Sequence, residues 1–478
     1  MARYLTTTLP YVNADPHIGF ALEIVQTDFL ARLWRARGEE VFFNTGTDEH
    51  GQKILDAAAK AGQEVQEYVD HFADEVRKLK GVLDLTNDAF IRTTDLSHRV
   101  AAEEMWRRCE AAGDIYKKSY EGWYCVGCER FLTEKDLVDG LCPLHQKRPT
   151  MLSEENYFFR FSNYRDCLLE YLAREDAVVP AWRREEAIAF VQDGLEDFSI
   201  SREAKRLSWG IPVPGDKTQV MYVWFDALTN YISTLGWPAD KEGLFKKFWD
   251  EGETLQVAGK DQVRFQSLMW QAMLMSAKVK TTDRIFYHGF INSNGQKMSK
   301  SLGNVVSPYE LVDKYGSDAT RYVLLRHMHP VEDSDVTRDK LDEWYTANLT
   351  NGLGNLVARV MKLAEEHLPI PAKLEESDET LSETFVQKVE AFRFSEALDV
   401  VFAKVAAADT FMAEHKPYRF IKSGDTVERE RAREEIAGLV RSLATIATHL
   451  AQAMPRTAAA IAVAVRTNRR PNNLFPRL

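Results

Sequence analysis

An α/β fold with a doubly wound parallel sheet, a cysteine-containing insertion and an all-α bundle at the C-terminal side is predicted by three features of the sequence. Residues 1–55 alternate strand, helix and strand patterns. A second strand–helix series follows a stretch of aromatic runs and turns around three cysteines. Beyond about residue 340 the patterns are long, amphipathic and helical. Alternating strands and helices favour a parallel sheet, whose ligands bind beyond the carboxyl ends of the strands.

The elements of the first half follow from the spacing of apolar residues, because a helix repeats them every 3.6 residues and a buried strand carries them in a short run. Gly38 is a suitable stop for the first helix, since glycine accepts the left-handed conformation that often ends helices. The expected elements are a strand at 4–9, a turn-rich loop at 10–16, a helix at 20–34, a strand at 41–44, helices at 56–115 and the insertion at 121–164.

The second half repeats the strand–helix pattern and then becomes helical. The expected strands lie at 220–224, 255–258 and 285–291, and the expected helices at 226–234 and 262–277. Amphipathic stretches at 344–366, 382–415 and 426–454 predict a helical bundle.

Length and composition limit the class of protein. A chain of 478 residues exceeds one usual hydrophobic core, so two to four domains are expected, and 45% apolar with 28% charged residues is ordinary for a globular protein. No apolar run approaches the roughly 20 residues of a membrane span. The strand pattern begins almost at Met1, which leaves no room for a signal or transit peptide and predicts a cytoplasmic protein.

Charge leaves two interpretations open for RNA binding. The net charge of −11 argues against a general positive field, although a local basic groove needs only a few lysines and arginines. The segment after Met454 carries arginines and no acid, which fits a solvated, partly disordered end and an RNA contact equally well. These arginines are Arg456, Arg466, Arg469, Arg470 and Arg477.

The loop after the first strand has the features of a phosphate site. His17 and Gly19 fall at the first turn of the predicted helix, where free backbone N–H groups and the helix dipole favour an anion. Gly19 lets a ligand approach closely, and His17 can donate a hydrogen bond to a charged oxygen. Most His-Ile-Gly tripeptides have no such role, so this loop alone is weak evidence.

A second loop, residues 294–304, supplies cations beside hydroxyl groups. Gly295 and Gly303 bracket two lysines that stand three residues apart. Such a loop can close over a triphosphate and balance the charge that develops as pyrophosphate leaves, whereas the alternative is a solvated basic turn. Its central residues are Lys297, Met298, Ser299, Lys300 and Ser301.

Three cysteines and a histidine form two chelating pairs. Two residues separate Cys125 from Cys128, and after thirteen more residues Cys142 and His145 repeat that spacing. Three thiolates and one imidazole make a closed tetrahedral zinc set, which is structural because no ligand position stays open. Five cysteines in a chain of this length do not indicate a disulfide framework.

Taken together, these motifs resemble the class I aminoacyl-tRNA synthetases, and among them the methionyl-tRNA synthetases of the bacterial single-zinc-knuckle type. Class I enzymes carry a His-x-Gly-His motif after the first strand and a Lys-Met-Ser-Lys-Ser motif after the last. Further segments match the methionine enzymes in the family's order and extend the resemblance over nearly the whole chain. They are 9–13 (LPYVN), 46–51 (GTDEHG), 197–202 (DFSISR), 209–212 (WGIP), 222–227 (YVWFDA) and 259–261 (GKD).

The resemblance implies a Rossmann-like catalytic domain and assigns residues to its substrates. His17, Lys297 and Lys300 would be catalytic, and Gly19 and the whole 297–301 motif would bind ATP, which brings Mg²⁺. An aromatic slot suits a flexible thioether, and a carboxylate suits an ammonium. The methionine-binding residues would be Leu9, Tyr11, Asp48, Trp224, Ala227, Tyr231, Phe265 and Gln266.

The resemblance also implies one structural Zn²⁺ ion, held by the four ligands named above, and a set of RNA contacts. Asn355 and Arg359 stand four residues apart on one helix face and match the pair that reads anticodon bases. Tyr418 stands where the family usually has a tryptophan that stacks on a base, and a tyrosine ring can still stack.

Three positions depart from the family pattern. Phe20 replaces a histidine, and losing one preorganised donor costs roughly 10²–10³ in rate. Gln266 replaces a pocket histidine but can hold the same tyrosine hydroxyl or carboxylate. Gln271 replaces a proline, which removes a fixed backbone turn near the pocket.

The expected function is that of a methionine–tRNA ligase, which activates methionine with ATP and transfers it to the 3′ end of tRNA(Met). The alternative is a synthetase-like tRNA-binding paralogue with reduced or absent ligase activity, supported by Phe20. A ligase for valine, isoleucine or leucine needs a large editing domain, and residues 116–205 are too few for one.

A monomer is expected, without a further C-terminal RNA-binding domain. The expected domains are 1–115 and 206–290 (the two halves of the catalytic domain), 116–205 (the insertion with the zinc knuckle at 125–145), 291–345 (the KMSKS loop and stem-contact region) and 346–478 (the anticodon-binding bundle).

Overall fold

The structure is a computed structural model that describes residues 1–127, 130–293, 295–298 and 305–478. The chain forms two compact units. Unit 1 consists of Met1–Pro16, Gly38–Lys78 and Asn87–His288, and unit 2 consists of His17–Arg37, Leu79–Thr86 and Gly289–Leu478. In the described ranges, none of the helices combines the length and the apolar character that crossing a membrane requires.

The strands and helices of the described residues are numbered in chain order. The strands are β1 Ala2–Thr6, β2 Glu40–Thr47, β3 Ala89–Arg92, β4 Ile115–Cys125, β5 Arg130–Leu132, β6 Thr150–Phe159, β7 Val178–Val179, β8 Phe198–Ser199, β9 Ser201–Glu203, β10 Pro212–Val213, β11 Asp216–Met221, β12 Glu253–Gly259, β13 Arg284–His288, β14 Ile291–Ser293, β15 Gln296–Lys297 and β16 Ser334–Val336. The α-helices are α1 Ile18–Ala36, α2 Gln52–Ala61, α3 Val65–Val82, α4 Leu96–Ala111, α5 Arg165–Ala173, α6 Ala181–Gln192, α7 Val223–Leu228, α8 Asn230–Ser233, α9 Gln271–Ser276, α10 Pro308–Tyr315, α11 Ser317–Arg326, α12 Arg338–Trp344, α13 Asn355–His367, α14 Glu383–Glu390, α15 Phe394–His415, α16 Pro417–Phe420, α17 Thr426–Leu450 and α18 Pro455–Thr467.

Shorter helical segments complete the list. The π-helical segments are Lys246–Asp250, Phe265–Trp270 and Tyr345–Gly354. The 3₁₀ segments are Glu134–Asp136, Phe161–Tyr164, Lys260–Gln262 and Glu376–Glu379.

The predicted parallel sheet is the centre of unit 1. Its strand order is β3-β2-β1-β12-β13-β7, and every neighbouring pair is parallel. The order turns back between β1 and β12, and the crevice at such a switch point is where parallel sheets bind ligands. The α/β fold class is therefore confirmed, and the loops that follow β1 and β12 are its expected binding elements.

Two expectations about this half of the chain are wrong. Residues 56–115 are not helical throughout, because β3 lies among them and pairs with β2 at the sheet edge. A strand of four residues leaves little periodic pattern, and it is fixed by distant pairing instead. The strand expected at 220–224 ends at Met221, and β11 belongs to a separate antiparallel sheet with β9 and β10.

The insertion is an antiparallel sheet with the order β5-β4-β6-β8. The long pair β4–β6 aligns Ile115 with Phe159 and Tyr124 with Thr150. Because β4 ends at Cys125, this sheet places the first predicted metal ligand at the end of its longest strand.

Unit 2 contains the predicted helical bundle, in which α13, α15, α17 and α18 pack on one another. Each of these helices buries one apolar stripe, as amphipathic helices of a bundle do. The prediction of a helical C-terminal region is therefore confirmed.

The arginine-bearing end of the chain is folded, which contradicts the disordered interpretation, one of the two left open by the sequence. After α18, Phe475 is 3% exposed and packs edge-on against Tyr345. The Tyr345 hydroxyl donates to the carbonyl oxygen of Pro476 at 2.9 Å. Two of the arginines form ion pairs with acids, Arg466 among them with Glu379 at 2.9 Å.

A buried ion pair joins distant segments of unit 2. Arg321 of α11 is 0% exposed, and its guanidinium lies 2.8 Å from the carboxylate of Asp28 in α1. It also donates to three backbone carbonyl oxygens, those of Leu83 at 3.1 Å, Gln452 at 3.0 Å and Ala453 at 2.7 Å. One side chain therefore provides the hydrogen-bond donors for backbone carbonyl oxygens just after α17 and in the segment before β3.

Two further residues donate hydrogen bonds to the Asp28 carboxylate. Arg32 donates to it at 2.7 Å, and Thr86 donates through both its backbone N–H and its hydroxyl. Burial raises the pKa of Asp28, but Arg321, Arg32 and Thr86 outweigh burial and hold the pKa below its ordinary value. This stabilisation is therefore present above the ordinary pKa of an aspartate and is lost as the pH falls through the lowered one.

We expect Arg321→Met to lower the free energy of unfolding by about 3–5 kcal/mol, because the buried Asp28 carboxylate loses its fully buried cation and three backbone carbonyls lose their donor. Urea denaturation followed by circular dichroism measures this change. The matched control is Arg107→Met, whose guanidinium is 51% exposed beside Glu103 and whose loss should cost about 1 kcal/mol or less. Equal losses in the two variants would contradict the role given to Arg321.

Candidate active site and metal centre

The loops after β1 and β2 are joined by backbone hydrogen bonds. The Asp48 N–H donates to the Pro10 carbonyl at 3.1 Å, and the Val12 N–H donates to the Asp48 carbonyl at 3.3 Å. Tyr11 therefore lies opposite Asp48 in a parallel bridge. Two of the predicted pocket residues, one aromatic and one acidic, are brought together at the carboxyl ends of the strands.

Aromatic residues form a second wall of the predicted pocket in unit 1. Trp224 of α7 stacks on Phe265 of the π-helical segment, with ring centroids 3.9 Å apart and an interplanar angle of 14°. Ala227 lies almost one turn after Trp224 on the same short helix and is buried. Leu9 lies half-buried in the loop after β1.

The two glutamines that depart from the family pattern are both integrated into the fold. The Gln266 amide donates to the Tyr231 hydroxyl, which is the contact expected of it, and its Oε1 is buried without a hydrogen-bond partner in the part of the chain that the structure describes. The Gln271 amide donates to the Gln266 carbonyl at 2.9 Å and to the Thr282 hydroxyl at 3.1 Å. Residues 265–276 therefore run as one helix through the position of the missing proline.

A buried network, which the sequence analysis missed, lies beside this pocket. His50 Nδ1 is 2.8 Å from Asp226 Oδ2, and His98 Nε2 is 2.9 Å from Asp226 Oδ1. His98 Nδ1 lies 3.0 Å from the Ser233 hydroxyl. Burial raises the pKa of Asp226, but the two histidines outweigh it and lower the pKa below its ordinary value. The sequence signals were the positions of Asp226 inside the YVWFDA motif and of His50 inside the GTDEHG motif.

In unit 2, His17 caps the helix that it precedes. Its Nδ1 accepts the Gly19 N–H at 3.0 Å, so the neutral ring carries its proton on Nε2. A Cβ atom on Gly19 would lie 2.8 Å from the His17 ring. The position of the histidine ring therefore favours glycine here, in addition to the close ligand approach that the sequence predicts. Phe20 is buried and offers no donor.

The second loop is anchored on both sides within unit 2. A tight hairpin joins β14 to β15, with Gly295 at φ +70° and its N–H donating to Asp335 at 2.7 Å. On the other side, the Ile18 N–H at the start of α1 donates to the Val306 carbonyl at 3.0 Å. This contact ties the loop to the helix that His17 caps. Lys297 and Met298 lie at its near end, while Ser299, Lys300 and Ser301 lie outside the described residues.

Three of the four predicted metal ligands come together at the end of β4. His145 Nδ1 lies 3.9 Å from the sulfur of Cys125 and 3.7 Å from that of Cys142. A tetrahedral zinc ion would hold a sulfur and a nitrogen ligand roughly 3.6 Å apart, so these distances fit one. A Cβ atom on Gly127 would lie 2.5 Å from the His145 ring, so only glycine permits this approach. Cys128 lies outside the described residues.

The predicted RNA-reading residues lie on the bundle surface. The π-helical segment Tyr345–Gly354 leads directly into α13, whose first residue is the exposed Asn355. Arg359 donates to Asp409 of α15 at 2.8 Å, a partner that the sequence did not indicate. Tyr418 is 37% exposed on α16, where a ring can still stack on a base.

Comparisons with known proteins identify similar chains over nearly the whole length. A model of the class I tRNA synthetases (M) matches residues 3–148 and 134–361. The methionine–tRNA ligase of Thermotoga maritima is 40% identical over 441 residues, which are 89% of this chain and 69% of that protein. The methionine–tRNA ligase of Rhizobium meliloti is 39% identical over 485 residues, covering 98% of this chain and 92% of that one.

Solved structures agree with these relatives. Mycobacterium tuberculosis methionyl-tRNA synthetase in complex with methionyl-adenylate matches with a TM-score of 0.90 and 36% identity, over 99% of this chain and 98% of that one. The apo form of the same protein matches with a TM-score of 0.84 and 33% identity. The similarity therefore includes the bundle as well as the parallel sheet.

The metal centre predicts a measurable metal content. We expect about one equivalent of a divalent ion in fresh protein and less than about half an equivalent in Cys142→Ser, because a closed four-ligand site loses a thiolate. Inductively coupled plasma mass spectrometry measures the content. Cys167→Ser is the matched control, since this exposed thiol lies outside the cluster, and a parallel loss there would contradict the assignment.

Proposed function

The chain belongs to the methionine–tRNA ligases, a family of class I tRNA synthetases, and we propose which of its residues carry the two steps of that reaction. The family match over residues 3–361 carries the assignment to this enzyme class. Methionine and Mg²⁺-ATP would give methionyl-adenylate and pyrophosphate, and the 3′-terminal adenosine of tRNA(Met) would then accept the methionyl group.

In the first step, a carboxylate oxygen of methionine attacks the α-phosphorus of ATP. The bond from that phosphorus to the oxygen bridging the β-phosphate breaks, and pyrophosphate leaves with the electron pair. No proton has to move, so the protein contributes by stabilising charge. In our proposal the Nε2–H of His17, the N-terminus of α1, Lys297 and Lys300 provide that stabilisation. The bond from Gly19 to His17 Nδ1 supports this role, because it leaves the ring proton on Nε2.

The amino-acid site would recognise both ends of methionine. The Asp48 carboxylate holds the ammonium group, since charge-assisted hydrogen bonds are the strong ones. The stacked rings of Trp224 and Phe265 offer the thioether an aromatic surface, which methionine sulfur favours. The remaining walls would be Leu9, Tyr11, Ala227, Tyr231 and Gln266.

The second step transfers the methionyl group. A ribose hydroxyl of the terminal adenosine attacks the carbonyl carbon of the adenylate, the bond to the AMP oxygen breaks, and the hydroxyl proton is released. The anticodon would be recognised by residues of the C-terminal bundle. Asn355 and Arg359 would contact its bases, and Tyr418 would stack on one of them.

The metal centre would hold a structural zinc ion. Two buried thiolates and one imidazole at tetrahedral spacing support zinc over harder cations, which prefer oxygen ligands. Cys128 would complete the set, and the ion would fix the end of the insertion.

The alternative of an inactive tRNA-binding paralogue is not favoured. It rests on Phe20, and relatives called methionine–tRNA ligase cover 89% and 98% of this chain. His17, Asp48, Lys297 and Lys300 also stand at the positions that the family pattern gives them. The domain boundaries, the monomeric state and the cytoplasmic location stay predictions.

Methionine-dependent ATP–pyrophosphate exchange tests the ligase. We expect exchange with the unmodified protein and a loss of at least about 10²-fold in Lys300→Ala, the usual scale for one charge-stabilising group. Lys362→Ala, on the exposed face of α13, is the control and should retain full exchange. No exchange at high enzyme concentration would overturn the ligase assignment, and a change of tenfold or less in Lys300→Ala would overturn the role of that lysine.

Arg359→Ala tests RNA reading separately from the chemistry. We expect kcat/KM for tRNA(Met) to fall by about tenfold or more, since a side chain that reads a base contributes roughly 1–3 kcal/mol. Aminoacylation assays measure this fall, and ATP–pyrophosphate exchange without tRNA should be unchanged. The control Arg393→Ala removes an exposed arginine that pairs with Glu396. A parallel loss of exchange in Arg359→Ala would contradict a role limited to RNA.

A further inference from the structure

We propose that Asp226 is a positioning residue of the amino-acid site, which acts through His50 on the loop that carries Asp48. The inference rests on the proposed function, because it concerns how the methionine ammonium group is recognised. Three structural observations carry it: the place of Asp226 on α7, the use of both oxygens of its carboxylate, and the bond by which His50 joins α7 to the Asp48 loop.

The place of Asp226 connects it to the aromatic wall. It is 0% exposed on α7, between Trp224 and Ala227 in sequence, so the helix that carries pocket residues also carries this carboxylate. A carboxylate with no exposure is costly in a fold unless it is paired and hydrogen-bonded. Its presence at this point of the pocket therefore calls for partners of matching chemistry.

Those partners are two histidines that approach opposite oxygens. His50 Nδ1 lies 2.8 Å from Oδ2, and His98 Nε2 lies 2.9 Å from Oδ1. Only an ionised carboxylate accepts from both rings at once, whereas a carboxamide accepts from one. The second bond of His98, to the Ser233 hydroxyl at 3.0 Å, fixes the orientation of its ring. Asp226 is thus held from the side of α4 and α8 and bonds to His50 on the other side.

This arrangement determines the state of His50. With its Nδ1–H directed at Asp226, the neutral ring has its lone pair on Nε2. That atom is buried and has no hydrogen-bond partner in the described ranges of the chain. In the described ranges, the bond to Asp226 therefore holds the His50 ring, and the Trp209 indole lies edge-on to it with ring centroids 5.7 Å apart.

The loop from Asp48 to Gly51 is itself firmly held, so the His50 ring fixes the position of α7 against it. Asp48 is bonded through its backbone to Pro10 and Val12. The Glu49 side chain accepts from Arg92 and Thr94, its carbonyl accepts from the Trp209 indole N–H at 2.5 Å, and its N–H donates to the Thr93 hydroxyl. His50 connects the loop to α7 and hence to Trp224. Asp226 therefore sets the distance between the carboxylate that binds ammonium and the wall that binds the thioether.

Loss of the bond between Asp226 and His50 should weaken binding of the ammonium end of methionine and leave the thioether end unaffected. If the His50 anchor is lost, Asp48 moves relative to α7, and an ammonium group is then presented to a displaced carboxylate. A ligand without the ammonium group makes no contact that this displacement would weaken. In metal sites, residues that only orient a ligand side chain change the affinity by about 10–100-fold, and we expect a change of similar size in the affinity for methionine.

Asp226→Asn in the full-length protein tests the proposal. The readouts are the inhibition constant of the desamino analogue 4-(methylthio)butanoate in ATP–pyrophosphate exchange, together with KM for methionine, KM for ATP and the melting temperature. We expect KM for methionine to rise at least tenfold, while the constants for the desamino analogue and for ATP change less than threefold. Equal weakening of methionine and the analogue, or no change in either, would overturn the proposal.

Variants of His50 keep the test decisive if the Asp226 variant unfolds. His50→Asn retains a donor near the position of Nδ1, and His50→Phe removes it. We expect His50→Phe to reproduce the tenfold rise in KM for methionine, and His50→Asn to stay within threefold of the unmodified protein. Indistinguishable constants for the two His50 variants would overturn the proposal.

A matched control separates positioning from stability. Asp114 is a buried aspartate of the same unit that accepts a hydrogen bond from the Ser276 hydroxyl at 2.7 Å and lies outside this network. Asp114→Asn should lower the melting temperature without changing the preference for methionine over its desamino analogue. If that preference falls in both aspartate variants, Asp226 has a structural role only. Absence of methionine-dependent exchange in the unmodified protein would instead refute the proposed function.

Discussion

The buried guanidinium of Arg321 holds together parts of unit 2 that lie far apart in the sequence. It neutralises Asp28 on α1 and satisfies carbonyls before β3 and at the end of α17. Because α1 begins at the residue after His17, this pair fixes the predicted phosphate site to the bundle helices. The contact between Ile18 and Val306 then joins the same helix to the KMSKS loop. Both phosphate-binding motifs therefore depend on one packed unit, although the strand before the first motif belongs to the other.

Unit 1 contains the residues of the predicted amino-acid pocket. The strand order reverses between β1 and β12, and backbone bonds between the loops after β1 and β2 hold Tyr11 opposite Asp48. The aromatic residues of the predicted pocket lie on a helix of six residues and on a π-helical segment. Short elements of this kind have little stability of their own, so buried side-chain bonds such as those of Gln266 and Asp226 must orient them.

Local patterns in the sequence were sufficient to predict periodic secondary structure and the cluster of cysteine and histidine side chains. The β1-α1-β2 unit, the bundle and the cysteine–histidine spacing all depend on residues close in the chain. The strand β3 and the antiparallel pairing of β11 were missed, because both are decided by partners that short windows do not contain. The two residues of the His50–Asp226 bond are 176 positions apart in the sequence, and those of the Arg321–Leu83 bond are 238 apart. Periodic patterns in short windows therefore cannot predict either bond. Lys300 and Cys128 stay predictions, since they lie outside the described residues.

The ring of His17 occupies the space that a side chain at position 19 would need, and this has a consequence for redesign of the motif. A methyl group at position 19 would collide with the imidazole at 2.8 Å, so an alanine there becomes acceptable only when the ring is absent or turned away. The two positions are thus sterically coupled. Replacing the histidine by a small residue would remove this demand for glycine, whereas a variant that keeps the ring in its capping position must keep the glycine as well.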